Sequence, residues 1–425
     1  MKRYEEYKDT GIGWLPKLPS HWKLEQLRKY IRLVSKKGYP EKQLLSVTRE
    51  LGVIIRDTES KEENHNFIPD DLSGYKYVKE GQFVINKMKS WQGSYGVSAY
   101  EGIVSPAYYV CDLDFPNKDF FGWAIRSRNY VSFFAQYSKG IRVGQWDLSP
   151  VALKSIPFFE PPLAEQEKIV GFLESKTLCI DAYVAERERE LQLLNELKES
   201  EIANIITRGL NPDVKMKDSR IPWLDSIPEH WGEERAKYLF NRENRPISDE
   251  DDIITCFRDG QVTLRKNRRT TGFTESFKEC GYQGIRKGDL VIHQMDAFAG
   301  SVGISDSDGK GTPVYIVCTP KRDDVYNPYF ALVIREMGLN GYIQSLYRGI
   351  RERSSDFKFD VFRQQCLPLP PIEEQIAIVS YIEGKVKKVN SLINELESEI
   401  EFLREYKQKL IADCVTGQIN VQSEI

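Results

Sequence analysis

Ile12-Gly13-Trp14-Leu15-Pro16-Lys17-Leu18-Pro19-Ser20-His21-Trp22 is answered by Ile221-Pro222-Trp223-Leu224-Asp225-Ser226-Ile227-Pro228-Glu229-His230-Trp231, and His21 and His230 stand 209 residues apart. Two Trp, a Pro and a His-Trp pair do not recur at one spacing by chance. The match runs on. Gly81-Gln82-Phe83-Val84-Ile85-Asn86-Lys87-Met88 answers Gly288-Asp289-Leu290-Val291-Ile292-His293-Gln294-Met295, and Gly93 and Gly96 answer Gly300 and Gly303. Ser105-Pro106-Ala107-Tyr108 answers Thr312-Pro313-Val314-Tyr315, and Gly140-Ile141-Arg142 answers Gly349-Ile350-Arg351. Pro161-Pro162-Leu163-Ala164-Glu165-Gln166 answers Pro370-Pro371-Ile372-Glu373-Glu374-Gln375, again at 209. The chain is two copies of one unit. Such a period exceeds the ~20–50 residues of solenoid repeats, so each copy is a whole domain plus a connector. Two related domains in one chain present two similar surfaces, which suits a pseudo-two-fold partner such as duplex DNA.

The first ~160 residues of each copy read as mixed α and β. Val84-Ile85 and Val291-Ile292 are short apolar runs bounded by Gly and suit buried strands. The pairs Gly93/Gly96 and Gly300/Gly303 indicate turns or close backbone packing. Helices are expected from Phe120 to Phe134 and from Tyr329 to Leu346, the second entered through Asn327-Pro328. After each Pro-Pro pair the pattern changes. From Leu163 to about Thr207 and from Ile372 to about Val415 there is no Pro, and Gly171 and Gly384 are the single glycines. Ile382, Val386, Val389, Ile393, Leu396, Ile400, Leu403, Lys407 and Leu410 step alternately by four and three, a coiled-coil seam with one polar insertion. The earlier stretch is looser: Leu173, Ile180, Val184, Leu191, Leu194 and Ile205 fit, while Arg187, Lys198 and Glu201 interrupt. Each helix is ~65 Å long at 1.5 Å per residue and cannot bury its seam alone. Intramolecular pairing is the economical solution; packing of each helix on its own domain, or homodimerisation, is the alternative. An antiparallel pair would set the two mixed domains at opposite ends and act as a ruler.

The expected class is therefore α+β: two related mixed α/β domains, a pair of long antiparallel coiled-coil helices between them, and a pseudo-two-fold internal repeat. The expected divisions are 1–162 and 211–371 for the mixed domains, and 163–210 and 372–425 for the helical spacers.

Composition narrows the function classes. The 425 residues are 40% hydrophobic and 29% charged, which allows packed cores. Sixty Lys and Arg against 63 Asp and Glu give a net charge of −3, whereas a simple nucleic-acid binder is basic. DNA affinity must then come from local patches or from partners. Seven scattered Cys without a CxxC pair read as reduced thiols in a cytoplasmic protein. The opening Met-Lys-Arg-Tyr-Glu-Glu-Tyr-Lys has no apolar core for a signal peptide, and no apolar stretch is long enough to span a membrane.

Catalytic motifs are weak. Asn327-Pro328-Tyr329-Phe330 is similar to the Asn-Pro-Pro-Tyr/Phe motif of adenine methyltransferases, but it lacks the second Pro and no Gly-rich cofactor loop precedes it. A helix N-terminal cap is the better reading. Gly309-Lys310-Gly311-Thr312 is too short for a phosphate loop and reads as a turn. The four His, at 21, 65, 230 and 293, have no metal-ligand spacing, so no metal is expected. His21 and His230 each precede a Trp and suit packing or docking.

Reading of base edges and phosphates requires cations and amides on exposed loops. Four clusters offer them: Lys36 and Lys37; Lys87, Lys89 and Gln92 beside Met88 and Trp91; Arg265, Lys266, Arg268 and Arg269; and the partner segments with Lys139 and Arg142 and with Arg348, Arg351 and Arg353. Each could equally be a solvated surface, and Met88 and Trp91 could be core. Stretches 44–75 and 253–282 scarcely match between the copies, so a shared scaffold carries different reading surfaces.

The paired openings at 14–22 and 223–231, the Gly-Asp-Leu-Val-Ile stretch at 288–292 and the junctions at 161–166 and 370–375 together resemble the specificity subunit of Type I restriction–modification systems, over essentially the whole chain. That resemblance implies a non-catalytic subunit in which each target-recognition domain reads one half of a bipartite site. The spacers set the gap and dock two modification subunits, which methylate adenine with S-adenosylmethionine. Restriction subunits that use ATP and Mg join that core, and this chain holds no cofactor. Two other readings stand beside it. One is an enzyme with a degenerate motif, which S-adenosylmethionine binding by the isolated chain would favour. The other is a coiled-coil scaffold, which would not need two globular domains with divergent loops.

Overall fold

The computed structural model describes residues 2–13, 15–57, 68–140, 146–268, 281–346 and 357–423. The chain packs as two compact units, residues 1–189 with 397–425, and residues 190–396.

In the first unit a four-stranded antiparallel sheet runs in the order Ile31–Val34, Tyr109–Leu113, Phe83–Ile85, Tyr95–Val97. Its middle strand is buried at every position because both faces are covered, which is why it reads as an unbroken apolar run. Phe83 and Ile85 face an aromatic core with Trp22, Phe121, Phe134 and Phe158. Val84 and Val110 face a second core built by Leu45, Val47 and Val53. Those three lie on a hairpin, Leu45–Thr48 with Gly52–Ile55, laid over the other side of the sheet. Helices Lys118–Ile125, Arg128–Tyr137 and Pro150–Ser155 cover the aromatic side.

The second unit repeats this order. Its sheet is Phe240–Glu243, Tyr315–Pro320, Leu290–His293, Val302–Ile304. Leu290 and Ile292 face the larger core, and Val291 faces the smaller one with Ile254, Cys256 and Val262. The hairpin over it is Ile254–Cys256 with Val262–Leu264. Within the segments that scarcely match in sequence, residues 45–55 and 254–264 thus form the same hairpin twice, with Leu45 in the place of Ile254 and Val53 in that of Val262.

The spacers are single helices, Leu163–Arg208 and Ile372–Val415. Proline starts both: Pro162 and Pro371 offer carbonyls to the first free amides of the helix while lacking a donor of their own to strand. Glycine in the left-handed region ends both, Gly209 at φ +78° and Gly417 at φ +67°. Each unit contains part of each spacer. In the first, Ile169 and Leu173 share a core with Leu410, Ile411, Cys414 and Val415. In the second, Ile205 and Ile206 share one with Ile378, Val379 and Ile382. The helices run antiparallel within each unit: Asp181 meets Lys407 and Glu188 meets Arg404 in the first, Lys198 meets Asn390 and Glu201 meets Lys385 in the second.

Three local expectations are corrected. The helix expected over Phe120–Phe134 is two helices, because Ser127 takes an extended backbone between them and serine competes with a helix for backbone partners. The one expected to Leu346 stops at Leu339, where Gly341 at φ +82° breaks it before a short turn, Tyr342–Ser345. Gly309–Gly311 is a strand paired with Gln283–Ile285 and bridged on its other side to Ile253, not a turn. Its glycines answer crowding, since a Cβ on Gly309 would meet Asp252 O at 2.4 Å and one on Gly311 would meet Ile285 Cδ1 at 2.5 Å.

Candidate nucleic-acid interface and partner surfaces

The repeated motifs converge on one buried knot per unit. Glu165, in the first turn of its helix, accepts from Trp22 Nε1 at 2.9 Å, from Tyr4 OH at 2.9 Å, and meets His21 Nε2 at 2.6 Å. Glu374 does the same with Trp231 Nε1 at 3.0 Å and His230 Nε2 at 2.8 Å. Gln166 and Gln375 turn back to the carbonyls of Pro161 and Pro370. Lys8 and Lys217 donate to the carbonyls of Trp22 and Trp231. A carboxylate in the first helical turn also suits the helix dipole. The His-Trp pairs therefore fasten the first turn of each spacer helix to its unit. Asn117 caps its helix, accepting from Phe120 N at 2.9 Å. Asn327 does not cap, because it is the first helical residue and donates to Gly288 O instead.

Ile382, Val389, Ile393, Leu396, Ile400 and Leu410 are buried, and Val386 and Leu403 half-buried. On the first spacer Leu173 is buried, while Ile180, Val184, Leu191 and Leu194 are half-buried. Arg187, Lys198 and Glu201 interrupt the apolar pattern yet occupy the same face, half-buried. Lys198 reaches Asn390 Oδ1 at 3.2 Å, Glu201 pairs with Lys385 at 3.0 Å and Lys407 reaches both Asp181 oxygens at 2.6 Å across the helix pair, while Arg187 lies over the Tyr183 ring of its own helix. A polar seam costs stability and gains register.

Outside the seam, three pairs 209 residues apart are exposed apolar side chains: Tyr183 and Leu392, Leu193 and Phe402, Leu197 and Tyr406. Each unit also has a cleft between its first sheet-covering helix and the spacers, about 600 Å³ in the first and 620 Å³ in the second. Their linings correspond residue by residue: Glu174 with Glu383, Lys407 with Lys198, Ile411 with Ile202.

The candidate reading residues fall into groups. Lys87, Lys89 and Lys139 come together, with Lys87 Nζ 3.2 Å from Asp147 Oδ2 and Lys139 paired through its backbone with Asp147. Trp91 is half-buried, its ring 5.0 Å from that of Trp146, a residue no motif pointed to. Met88 is exposed rather than core, and Gln92 is half-buried. Arg265, Lys266 and Arg268 directly follow the second hairpin, the first half-buried and the others exposed. Lys266 pairs with Asp252 at 2.5 Å and holds that carboxyl below its usual range, and Arg268 pairs with Asp259 at 2.6 Å while lying over the Phe257 ring. Such exposed pairs are screened by solvent and contribute little, so a phosphate can replace the acid at small cost. Arg258, exposed at the hairpin tip beside Asp296, was missed because it stands alone in the sequence. Lys36 and Lys37 are exposed and stand apart from the other clusters in sequence. Arg142, Arg269, Arg348, Arg351 and Arg353 lie outside the described residues, as does Trp14. Among the described residues no His, Cys, Asp or Glu group could hold a metal ion, and no helix is long and apolar enough to cross a membrane.

Two related α+β units, each completed by parts of two antiparallel spacer helices, are the fold of a solved HsdS subunit, and the chain is similar in sequence to a Type I restriction enzyme specificity subunit. It is 23% identical over 328 residues to the Type I restriction enzyme EcoBI specificity subunit of Escherichia coli, a match over 72% of this chain and 66% of that relative's length. The HsdS subunit of Thermoanaerobacter tengcongensis shares the fold with a TM-score of 0.52 at 15% identity, over 95% of this chain and 98% of that one. A chain from a structure of a type I R-M system, described for its complex assembly and conformational transition, shares it with a TM-score of 0.68 at 15% identity, over 95% of this chain and all of the other. No family model matches.

Proposed function

We propose that this chain is the DNA-reading specificity subunit of a Type I restriction–modification complex, with no catalysis of its own. Each unit reads one half of a bipartite target, and the spacer helices set the gap between the halves. Two modification subunits supply S-adenosylmethionine chemistry, and restriction subunits supply ATP- and Mg-dependent cleavage. The complex works on double-stranded DNA in the cytoplasm, away from membranes.

The observation that carries this reading is duplication of the scaffold without duplication of the loops. The knots, hairpin strands and seams recur at an offset of 209 and the central sheet strands at 207, whereas the hairpin tips differ, Arg49-Glu50-Leu51 against Phe257-Arg258-Asp259. One partner with two similar but non-identical faces calls for that design. The paired apolar positions on the spacers and the corresponding clefts favour two copies of one docking protein.

Methylome sequencing of a host expressing this chain with its neighbouring modification subunit tests the reading. A split adenine-methylated motif with a fixed gap, lost on deletion of this chain, is expected. A stable complex that leaves no new methylated motif would remove the reading.

A further inference from the structure

Arg126 and Arg335 stand 209 residues apart, one per unit, the first at the C-terminal cap of Lys118–Ile125 and the second within Asn327–Leu339. Both are half-buried, and burial lowers the pKa of each guanidinium. An arginine stays charged regardless, so its donors need acceptors. Both find them on main-chain carbonyls of the hairpin that overlies the sheet. Arg126 Nη2 donates to Glu50 O at 2.6 Å and Arg49 O at 3.1 Å, and its Nη1 donates to Tyr95 O at 2.7 Å. Arg335 Nη1 donates to Arg258 O and Gly300 O. In both units the guanidinium ties the hairpin tip to the neighbouring strand or turn of the sheet.

Glycine makes this approach possible. Gly52, which opens the returning strand of the first hairpin, and Gly260, in the turn of the second, have φ of +75° and +88°. A Cβ on Gly52 would stand 2.8 Å from Arg126 Nη1, and one on Gly260 3.1 Å from Arg335 Nη1. Beneath them, a Cβ on Gly303 would meet Gly260 O at 1.9 Å, and one on Gly96 would meet Gly52 Cα at 3.4 Å. The tip is held between a glycine of the sheet and a guanidinium of the helix. A fastening that touches only carbonyls holds loops of any sequence, and the two loops here differ in sequence.

We propose that Arg126 and Arg335 are positioning residues for sequence reading. Each fixes its hairpin so that the side chains borne there meet duplex DNA in one register: Arg49 in the first unit, and Arg258, Lys266 and Arg268 in the second. This rests on the DNA-reading function proposed above. Neither arginine touches the DNA itself.

The test uses the chain in complex with its modification subunits. Binding is measured to a duplex carrying the methylated motif and to duplexes with one base pair changed in either half. The readout is the discrimination ratio between cognate and changed duplex. Arg335→Ala should lower that ratio about tenfold in one half only, the size of one lost base-edge contact, and Arg126→Ala should do so in the other half. Arg335→Lys keeps the charge without the planar fork and should fall between; it also serves if the alanine variant does not fold. A merely structural role would reduce the active fraction equally for all duplexes and leave both ratios unchanged. Unchanged ratios in folded variants, or equal loss in both halves from one variant, overturn the proposal. Failure of the unaltered complex to discriminate at all would instead remove the DNA-reading function, and this proposal with it.

Discussion

Replacing Glu374 with alanine should loosen the second knot and leave the first intact. Trp231 is 1% exposed and its Nε1 has Glu374 as acceptor at 3.0 Å. Removing that acceptor strands a buried donor, which costs ~1–3 kcal/mol. Loss of a carboxylate from the first helical turn adds ~0.3–1 kcal/mol. His230 is half exposed, so water replaces its partner and the pair contributes at most ~1 kcal/mol. The expected cost is about 2–4 kcal/mol. Glu374→Gln, which keeps an oxygen for Trp231, should cost less than half of that. Two units need not unfold in one step, so native-state hydrogen exchange is the suitable assay, read at residues 228–232 and 373–379. Exchange around Trp22 and Glu165 should be unaffected. In a Trp231→Phe background the donor is already gone, and Glu374→Ala should then cost ~1–3 kcal/mol less. A cost below ~0.5 kcal/mol, or an equal cost in both backgrounds, would refute the assignment of the repeated His-Trp and Glu-Gln motifs to this bond.

Leu396→Asp with Ile400→Asp places two carboxylates on the buried seam at several kcal/mol each, and should abolish assembly with modification subunits on size-exclusion chromatography; normal assembly would sink the seam as a docking requirement. Gly303→Ala should destabilise the second unit by ~2–4 kcal/mol, because its Cβ meets the carbonyl of Gly260, whereas Gly384→Ala, in open space on a helix, should stabilise by ~0.5–1 kcal/mol; thermal melts showing equal effects would contradict that packing. Arg268→Ala should weaken DNA binding and flatten its log-log salt dependence by about one unit, and an unchanged slope would take Arg268 off the phosphate surface. Glu336 has its carboxyl pushed up by burial and by Glu199, against Arg335, so its ionisation opposes folding and the penalty grows as pH rises through its folded pKa. Glu336→Gln should therefore raise the melting temperature of the second unit at neutral pH, with the gain vanishing below a pH of ~4.3; a gain that persists at lower pH would place its origin elsewhere.

What could be read from the sequence was what packing repeats. Trp22 and Trp231 must each meet a carboxylate one domain-length later, so Glu165 and Glu374 recur at the same offset and the motif pair is visible without coordinates. The seam was visible because burial on a helix has a period, and its polar members looked like interruptions only because sequence does not show Lys198 reaching Asn390 or Lys407 reaching Asp181. The hairpins were invisible for the opposite reason. Only the inward-facing positions on each, such as Leu45, Val47 and Val53, answer to the core, and these accept any apolar side chain, so Ile254, Cys256 and Val262 fill them without resembling them. Arg126 and Arg335 escaped because a cation beside other charged residues, Arg128 in one case and Glu336 in the other, looks like solvated surface, and because their partners are carbonyls, which carry no sequence signature. Fastening through carbonyls has a consequence for function: the tip sequence can change without loss of its anchor. If the hairpins read DNA, the chain combines a fixed frame with replaceable reading loops, and exchanging residues 49–51 or 257–259 should change the target recognised by one half while the fold and the other half persist.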